Sequence, residues 1–371
     1  MKFAGRLDTF PEYVHARYAK VAAEIERASG RKVFNLGIGS PDIPPSDIYL
    51  TKLTELIREK DAHLYPGYGG TKELKDAIRS WYKQRFNVEF DQEEVVVLLG
   101  AKDGVAHLPF ALADVGDEIL VPDPGYPGFA GGALLAGAVP VSYHSIEEIE
   151  QKLTPKTRFI WANFPSNPTG AIATIEDLKK LVALAKKHNV PIVYDNAYSE
   201  ITFDGFVAPS ILQVEGAKDI AVELGSFSKT FSFAGYRMGW MVGNKEIVVA
   251  LAKVKSQTDS GMSLFLQRLG AYALQNQDMA WHSKMIETYQ KRRDVIAGKL
   301  LKLGLTFEKP KGSLYLWAKI PDSAKDSESY VMDMLKEKQV LFAPGSAFGK
   351  NGERYVRVSI CVDVSTIDSY L

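Results

Sequence analysis

Between Glu94 and Gly243, short apolar segments alternate with stretches of helical pattern. The apolar segments are rich in Val, Ile and Leu, as strands buried on both faces of a sheet are. Because strands that alternate with helices form βαβ units, the sequence predicts an α/β fold with a mostly parallel sheet. The predicted strands are Val95–Leu99, Glu118–Val121, Arg158–Ala162, Pro191–Tyr194 and Ala221–Leu224, and the predicted helices are Gly104–Ala113, Gly128–Gly137 and Ile175–Lys187.

Loops with polar or aromatic side chains follow each of these predicted strands. In an open parallel sheet, ligands bind beyond the carboxyl ends of the strands. Each loop by itself is compatible with an ordinary turn, but five of them at one edge of one sheet predict a ligand site. The loops are Gly100–Gly104, Asp123–Pro127, Asn163–Gly170, Tyr194–Tyr198 and Ser226–Lys229.

The last of these loops carries a lysine in an unusual setting. Lys229 lies between Ser228 and Thr230, directly after an apolar run, and Arg237 follows eight positions later. A lysine at the end of a buried strand is costly unless it has a function. Hydroxyls and a guanidinium suit a phosphate dianion, and an amine beside a phosphate site is what pyridoxal phosphate requires. The alternative is an ordinary surface loop.

The two ends of the chain predict a second, smaller unit. Lys311–Trp317 and Tyr355–Cys361 alternate between apolar and polar residues, which indicates antiparallel strands of an α+β domain. We therefore expect a large domain at 41–260 and a small domain formed by 1–40 and 261–371. Arg357, in the second of these strands, is either a solvated strand residue or a partner for a carboxylate. Further helices are predicted at 11–30, Thr51–Lys60, Lys72–Phe86 and Ser327–Lys338, and between Gly243 and Leu303.

Composition narrows the possible partners. The 371 residues contain 45 Lys plus Arg and 45 Asp plus Glu, and this zero net charge gives no reason to expect nucleic acid or an anionic membrane. Cys361 is the single cysteine, which excludes an intrachain disulfide and fits a reducing cytoplasm. No apolar run is long enough to cross a bilayer. We expect a cytoplasmic protein that binds small molecules, without nucleic acid, membrane or metal.

Over essentially its whole length the sequence resembles the class I/II aminotransferases of pyridoxal phosphate fold type I. Within that family it is most similar to the LL-diaminopimelate aminotransferases. The family motifs are Ser166–Gly170, Tyr194–Tyr198, Ser226–Lys229 with Arg237, and Val356–Ser359. The narrower likeness rests on Val121–Pro127, Gly131–Gly137, Tyr198–Gly205, Ser226–Lys229 and Val254–Gly261.

The resemblance implies a role for each motif residue around the pyridoxal ring. Lys229 would form the internal aldimine and then act as acid and base in the proton shift. Asp195 would pair with the pyridine nitrogen and keep it protonated. Asn167 and Tyr198 would hydrogen-bond the ring oxygen, and Tyr126 would stack on the ring face.

It also implies a phosphate site, a substrate site and an assembly. Arg357, with the Gly39 backbone and Asn167, would bind the substrate α-carboxylate through a bidentate contact. Tyr13 would contact the substrate. By the same resemblance the enzyme would be a homodimer with shared active sites, in which Tyr65 of a partner subunit reaches the phosphate. The phosphate contacts within the chain would be Ser226, Ser228, Arg237 and the backbone amides of Ala101 and Lys102.

Several functions remain open at this level. The leading one is transfer of an amino group from an amino acid, with LL-diaminopimelate as one candidate, to a 2-oxo acid such as 2-oxoglutarate. The stretch Val141–Lys152 is shorter than expected for LL-diaminopimelate enzymes, so aspartate, alanine, methionine and aromatic donors stay possible. A carbon–sulfur β-lyase on the same fold is an alternative. A ligand-sensing regulator would need a DNA-binding domain, for which the neutral chain leaves no room.

Overall fold

The computed structural model describes residues 1–10 and 14–371, which form two sheet systems packed with helices. The large sheet has the strand order β2-β8-β7-β6-β5-β3-β4, and a three-stranded sheet has the order β11-β12-β9. The strands are β1 Phe34–Asn35, β2 Val95–Leu98, β3 Glu118–Pro122, β4 Val139–Tyr143, β5 Thr157–Asn163, β6 Ile192–Asp195, β7 Ala221–Ser226, β8 Gly239–Gly243, β9 Tyr315–Lys319, β10 Val340–Leu341, β11 Ala343–Pro344 and β12 Tyr355–Ser359.

The helix α7, Ile175–His188, has a defined cap at each end. The side-chain oxygen of Thr174 accepts the Asp177 N–H at the start of α7, and Asn189 ends that helix in the left-handed conformation. No helix of the described ranges is long and apolar enough to span a bilayer. The helices are α1 Val14–Ser29, α2 Asp47–Leu56, α3 Lys72–Phe86, α4 Ala101–Leu112, α5 Pro127–Ala136, α6 Ile146–Lys152, α7 Ile175–His188, α8 Phe227–Thr230, α9 Lys245–Thr258, α10 Leu264–Gln275, α11 Met279–Lys302 and α12 Ser327–Lys338.

The predicted α/β architecture with a mostly parallel sheet is confirmed. Strands β4, β3, β5, β6 and β7 run parallel, whereas β8 is antiparallel to both β7 and β2. Six strands therefore direct their carboxyl ends to the same edge of the sheet. The sequence analysis missed β4, a partly exposed edge strand without an apolar run, and β8, which is flanked by glycines and directly follows the predicted phosphate loop.

Both faces of the large sheet are covered, which explains why its strands are continuous apolar runs. Val95 and Val97 pack into one hydrophobic cluster with residues of α3, α7 and α10. Val96 and Leu98 point to the other face and pack with residues of α4, α5 and α9. Successive residues of a strand point to opposite faces, so every residue of β2 is buried.

A third hydrophobic cluster joins the two ends of the chain. Tyr18 and Leu36 are buried with residues of α11, β9, α12 and β12. The parallel pairing of β1 with β10 makes the same connection through the backbone. Tyr198, from the loop after β6, belongs to this cluster as well. The division into 41–260 and 1–40 with 261–371 stays a prediction.

Candidate active site

A cavity of about 630 Å³ lies at the carboxyl edge of the large sheet. It brings together most of the residues that the sequence analysis selected from distant parts of the chain. Those that line it are Gly39, Ala101, Lys102, Tyr126, Asn167, Asp195, Tyr198, Ser226, Ser228, Lys229, Arg237 and Arg357.

Lys229 projects into this cavity from α8, a short helix that directly follows β7. The sequence analysis placed Ser226–Lys229 in a loop, which is wrong: the Ser226 side chain accepts the Ser228 N–H and begins a helical turn. The Lys229 Nζ donates to the Gly39 carbonyl at 3.2 Å. It also lies 5.5 Å from the centre of the Tyr198 ring. The amine is thus held at the cavity wall by a backbone oxygen.

Asp195 ends β6 and is buried, with 7% of its surface exposed. Removal from water raises the pKa of this carboxyl to about 6, although the Ala197 N–H and the positive charge of Lys229 act in the opposite direction. The Ala197 N–H contact to Oδ1 is 3.1 Å. A buried carboxyl of raised pKa at a cavity wall gains most from a cationic or N–H partner.

Arg357 is buried, with 6% of its surface exposed, so it is not a solvated strand residue. Its Nη1 donates to Asn167 Oδ1 at 2.9 Å and its Nη2 to the Gly37 carbonyl at 2.7 Å. The buried Nε finds no hydrogen-bond partner among the described residues. A buried guanidinium with a free N–H is suited to bind an anion in the cavity.

The cavity lining also combines a helix N-terminus with a second guanidinium. Gly100, with a φ of +79°, is the N-cap of α4, and Ala101 and Lys102 in the first turn of this helix line the cavity. A Cβ at Gly100 would lie 2.6 Å from Arg237 Nη2, so the arginine packs directly against this turn. Unpaired N–H groups at a helix N-terminus bind anions, and here Ser226 and Ser228 line the same cavity.

Among the predicted site residues that the structure describes, Tyr65 does not line the cavity. Tyr65 is 87% exposed. Tyr13 lies outside the residues that the structure describes.

The sequence analysis missed Tyr315 and Gly37. The Tyr315 hydroxyl lies 3.1 Å from the Tyr198 hydroxyl and donates to the Gly39 carbonyl at 3.3 Å. The alternating pattern predicted a strand around Tyr315. An aromatic residue in a strand ordinarily packs in the core, so the sequence provided no reason to select Tyr315 as a site residue.

With this geometry in view, comparison with known proteins defines the class. Residues 31–371 match the family described as aminotransferase class I and II. The chain belongs to this family, and it is an enzyme, a transaminase.

Individual relatives cover nearly the whole chain. It is 37% identical to LL-diaminopimelate aminotransferase of Halothermothrix orenii, over 100% of this chain and 97% of the relative. It is 39% identical to LL-diaminopimelate aminotransferase of Aquifex aeolicus, over 97% and 95% of the two chains. Among solved structures it is similar to apo-BacF from Bacillus subtilis, with a TM-score of 0.93, 32% identity, and coverage of 100% and 96%.

Proposed function

We propose that this aminotransferase binds pyridoxal phosphate in the cavity and uses Lys229 as its covalent and acid–base residue. The observation that carries the proposal is the meeting of a lysine amine, a buried carboxyl and a buried guanidinium in one cavity. The lysine amine would react with the cofactor's aldehyde, the carboxyl would bind its pyridine nitrogen, and the guanidinium would bind the substrate's carboxylate. Membership of the aminotransferase family supports the same cofactor.

The residues present fit the polar groups of this cofactor. The N-terminus of α4, Arg237, Ser226 and Ser228 would hold the phosphate. Asp195 would bind the protonated pyridine nitrogen, since a cation compensates the unfavourable burial that raises its pKa. When bound, the cofactor supplies an electron sink for the carbanion at the substrate Cα.

Other residues of the chain would orient the substrate and move the proton. The Lys229 Nζ would take the proton from the substrate Cα and return it at the carbon that the cofactor's aldehyde supplies, on the other side of the amino nitrogen. Arg357 would bind the α-carboxylate, with Asn167 beside it. Burial, together with the neighbouring Tyr315, raises the pKa of Tyr198 well above its usual value, so the Tyr198 hydroxyl keeps its proton and would act as a donor.

We further propose LL-diaminopimelate as amino donor and a 2-oxo acid such as 2-oxoglutarate as acceptor. The support is the name shared by the relatives of 35–39% identity. This donor has a second ammonium and carboxylate at its far end. Among the described residues that line the cavity, Asp195 is the only carboxylate. Asp42, another candidate, is already held by Arg292 at 2.8 and 2.9 Å.

The partner of the far ammonium would then come from a second subunit or from the N-terminal segment near Tyr13, which lies outside the described residues. We propose a homodimer with shared sites, in which the exposed loop around Tyr65 faces the neighbour's cavity. Because Asp195 is the only carboxylate among the described residues of the cavity lining, the alternative donors, which are aspartate, methionine and aromatic amino acids, are equally favoured.

The test compares kcat/KM for LL-diaminopimelate, aspartate, methionine and phenylalanine with 2-oxoglutarate. LL-diaminopimelate should give the highest kcat/KM. An apolar donor would leave buried polar groups of the site unpaired, which lowers kcat/KM for that donor. An apolar or aromatic donor that exceeds it by about tenfold, roughly 1.4 kcal/mol, would overturn the donor and leave the aminotransferase class intact.

A further inference from the structure

A buried group of charged side chains lies behind the N-terminus of α4, outside the cavity lining. Lys255, on α9, has no exposed surface, and its ammonium binds the carboxylates of Asp103 and Asp259. Asp103 also contacts His107 Nδ1 at 2.5 Å. Asp103, His107 and Asp259 are close enough together to hold a metal ion. The Lys255 ammonium already supplies the cation between the two carboxylates.

Asp103 connects this group to the predicted phosphate site. Its Oδ2 accepts the Leu99 N–H at 2.8 Å, and its own N–H donates to the Gly100 carbonyl at 3.0 Å. The carboxylate thus closes the turn that presents Ala101 and Lys102 to the cavity. Although burial opposes its ionisation, contacts with His107 and Lys255 hold the pKa of Asp103 below its usual value.

The second carboxylate links the same ammonium to a second loop. Asp259 Oδ1 accepts the Gly261 N–H at 2.7 Å. Gly261 packs on the loop that contains Tyr65, because a Cβ at Gly261 would lie 2.3 Å from the Gly67 carbonyl. One buried cation therefore connects the turn at Leu99–Lys102 with the backbone at Gly261.

We propose that Lys255 is a positioning residue for the phosphate-binding turn, because its ammonium fixes the Asp103 carboxylate that closes Leu99–Lys102. This inference rests on the proposed cofactor. A lysine buried between two carboxylates is costly to desolvate, and apolar residues would fill the space at less cost. The contact between the Lys255 ammonium and Asp103, which closes the proposed phosphate-binding turn, would explain why a charged residue is present at this position.

The test measures how strongly the cofactor-free full chain prefers pyridoxal phosphate over pyridoxal, which lacks the phosphate. In Lys255→Met the dissociation constant for pyridoxal phosphate should rise by about tenfold or more, as expected when a supporting contact of a binding group is lost. The constant for pyridoxal should stay within about twofold of the wild-type value. Lys253→Met is the matched control, since Lys253 is exposed on the same helix.

A second variant separates positioning from loss of stability. With neutral His107, the charges of Asp103, Asp259 and Lys255 sum to −1; Lys255→Met makes the sum −2, and adding Asp259→Asn restores −1. The double variant should fold, and its preference for pyridoxal phosphate over pyridoxal should still be lower than that of the wild type.

Three outcomes would overturn the role of Lys255. The first is wild-type preference in the folded double variant, and the second is equal loss of affinity for both ligands. In the third, the wild type shows no preference for pyridoxal phosphate, which would also remove the proposed phosphate site. The first two would leave the proposed function intact.

Discussion

Arg357 gives the sharpest test of substrate binding. Its guanidinium is buried and held by Asn167 and Gly37, while its Nε has no partner among the described residues. It also lies 4.3 Å from the Tyr315 ring centre, so its plane is fixed by packing. Such a group binds a carboxylate with little loss of side-chain freedom.

Arg357→Met should reduce kcat/KM for every amino donor. Truncating one member of a buried, charge-assisted pair costs about 2–5 kcal/mol. A middle value of about 3 kcal/mol corresponds to about a 150-fold loss. Arg357→Lys should recover only part of this loss, because an ammonium lacks the planar pair of donors that matches a carboxylate.

The assay must separate substrate binding from cofactor retention. Steady-state rates are measured with several donors, and bound cofactor is quantified by its visible absorbance. Arg158→Met is the control, because Arg158 is a half-exposed arginine that pairs with Asp117 and does not line the cavity. If Arg357→Met retains the cofactor and also keeps wild-type kcat/KM for all donors, Arg357 has no part in carboxylate binding.

Four further outcomes are expected. Lys229→Ala should lose the cofactor's lysine-dependent absorbance, and a borohydride-reducible internal adduct in that variant would contradict the assignment. Mixing Tyr65→Phe with Lys229→Ala subunits should restore activity if Tyr65 serves the partner's site, because one site of the mixed dimer is then intact; verified mixed dimers without recovery would place both residues in one subunit's site. The cofactor-free protein should lose about 2 kcal/mol of folding free energy as the pH rises from 4 to 6, because Asp195, with a folded pKa of about 6 against an unfolded value near 3.9, binds its proton more tightly when folded. Denaturant titrations of Asp195→Asn should show a flatter pH dependence, and an unchanged slope would refute this. Finally, cystathionine without a 2-oxo acid should yield no pyruvate, whereas steady release would favour the β-lyase alternative.

The part of the site that could be predicted lies on the large sheet. Ala101 follows β2, Tyr126 follows β3, Asn167 follows β5, Asp195 is the last residue of β6 and Lys229 follows β7. Parallel strands bring their carboxyl ends to one edge, so the order of strands and loops along the chain was enough to group these residues. The sequence could not show that Ser226–Lys229 begins a helix, because a four-residue turn has no periodicity to detect.

The contacts made by the chain ends were harder to predict. Arg357 contacts Asn167, which is 190 positions away in the sequence. The alternating pattern of a strand predicts only which face of the sheet the arginine lies on. Whether that side faces solvent or the large sheet depends on how the two ends pack. The same holds for Tyr315, whose hydroxyl role depends on its approach to Tyr198 and Gly39.

The segment from Gly37 to Asp42 joins the two halves of the proposed chemistry. The Gly37 carbonyl accepts from Arg357, the residue proposed for the substrate carboxylate, and the Gly39 carbonyl accepts from Lys229. Asp42 anchors the far end through Arg292. A Cβ at Gly39 would lie 2.0 Å from the Tyr315 hydroxyl, so the segment can approach this closely only without a side chain there. If Lys229 leaves the Gly39 carbonyl to react as proposed, the Tyr315 hydroxyl remains as a donor to that carbonyl, so this part of the proposed substrate site need not move with the lysine.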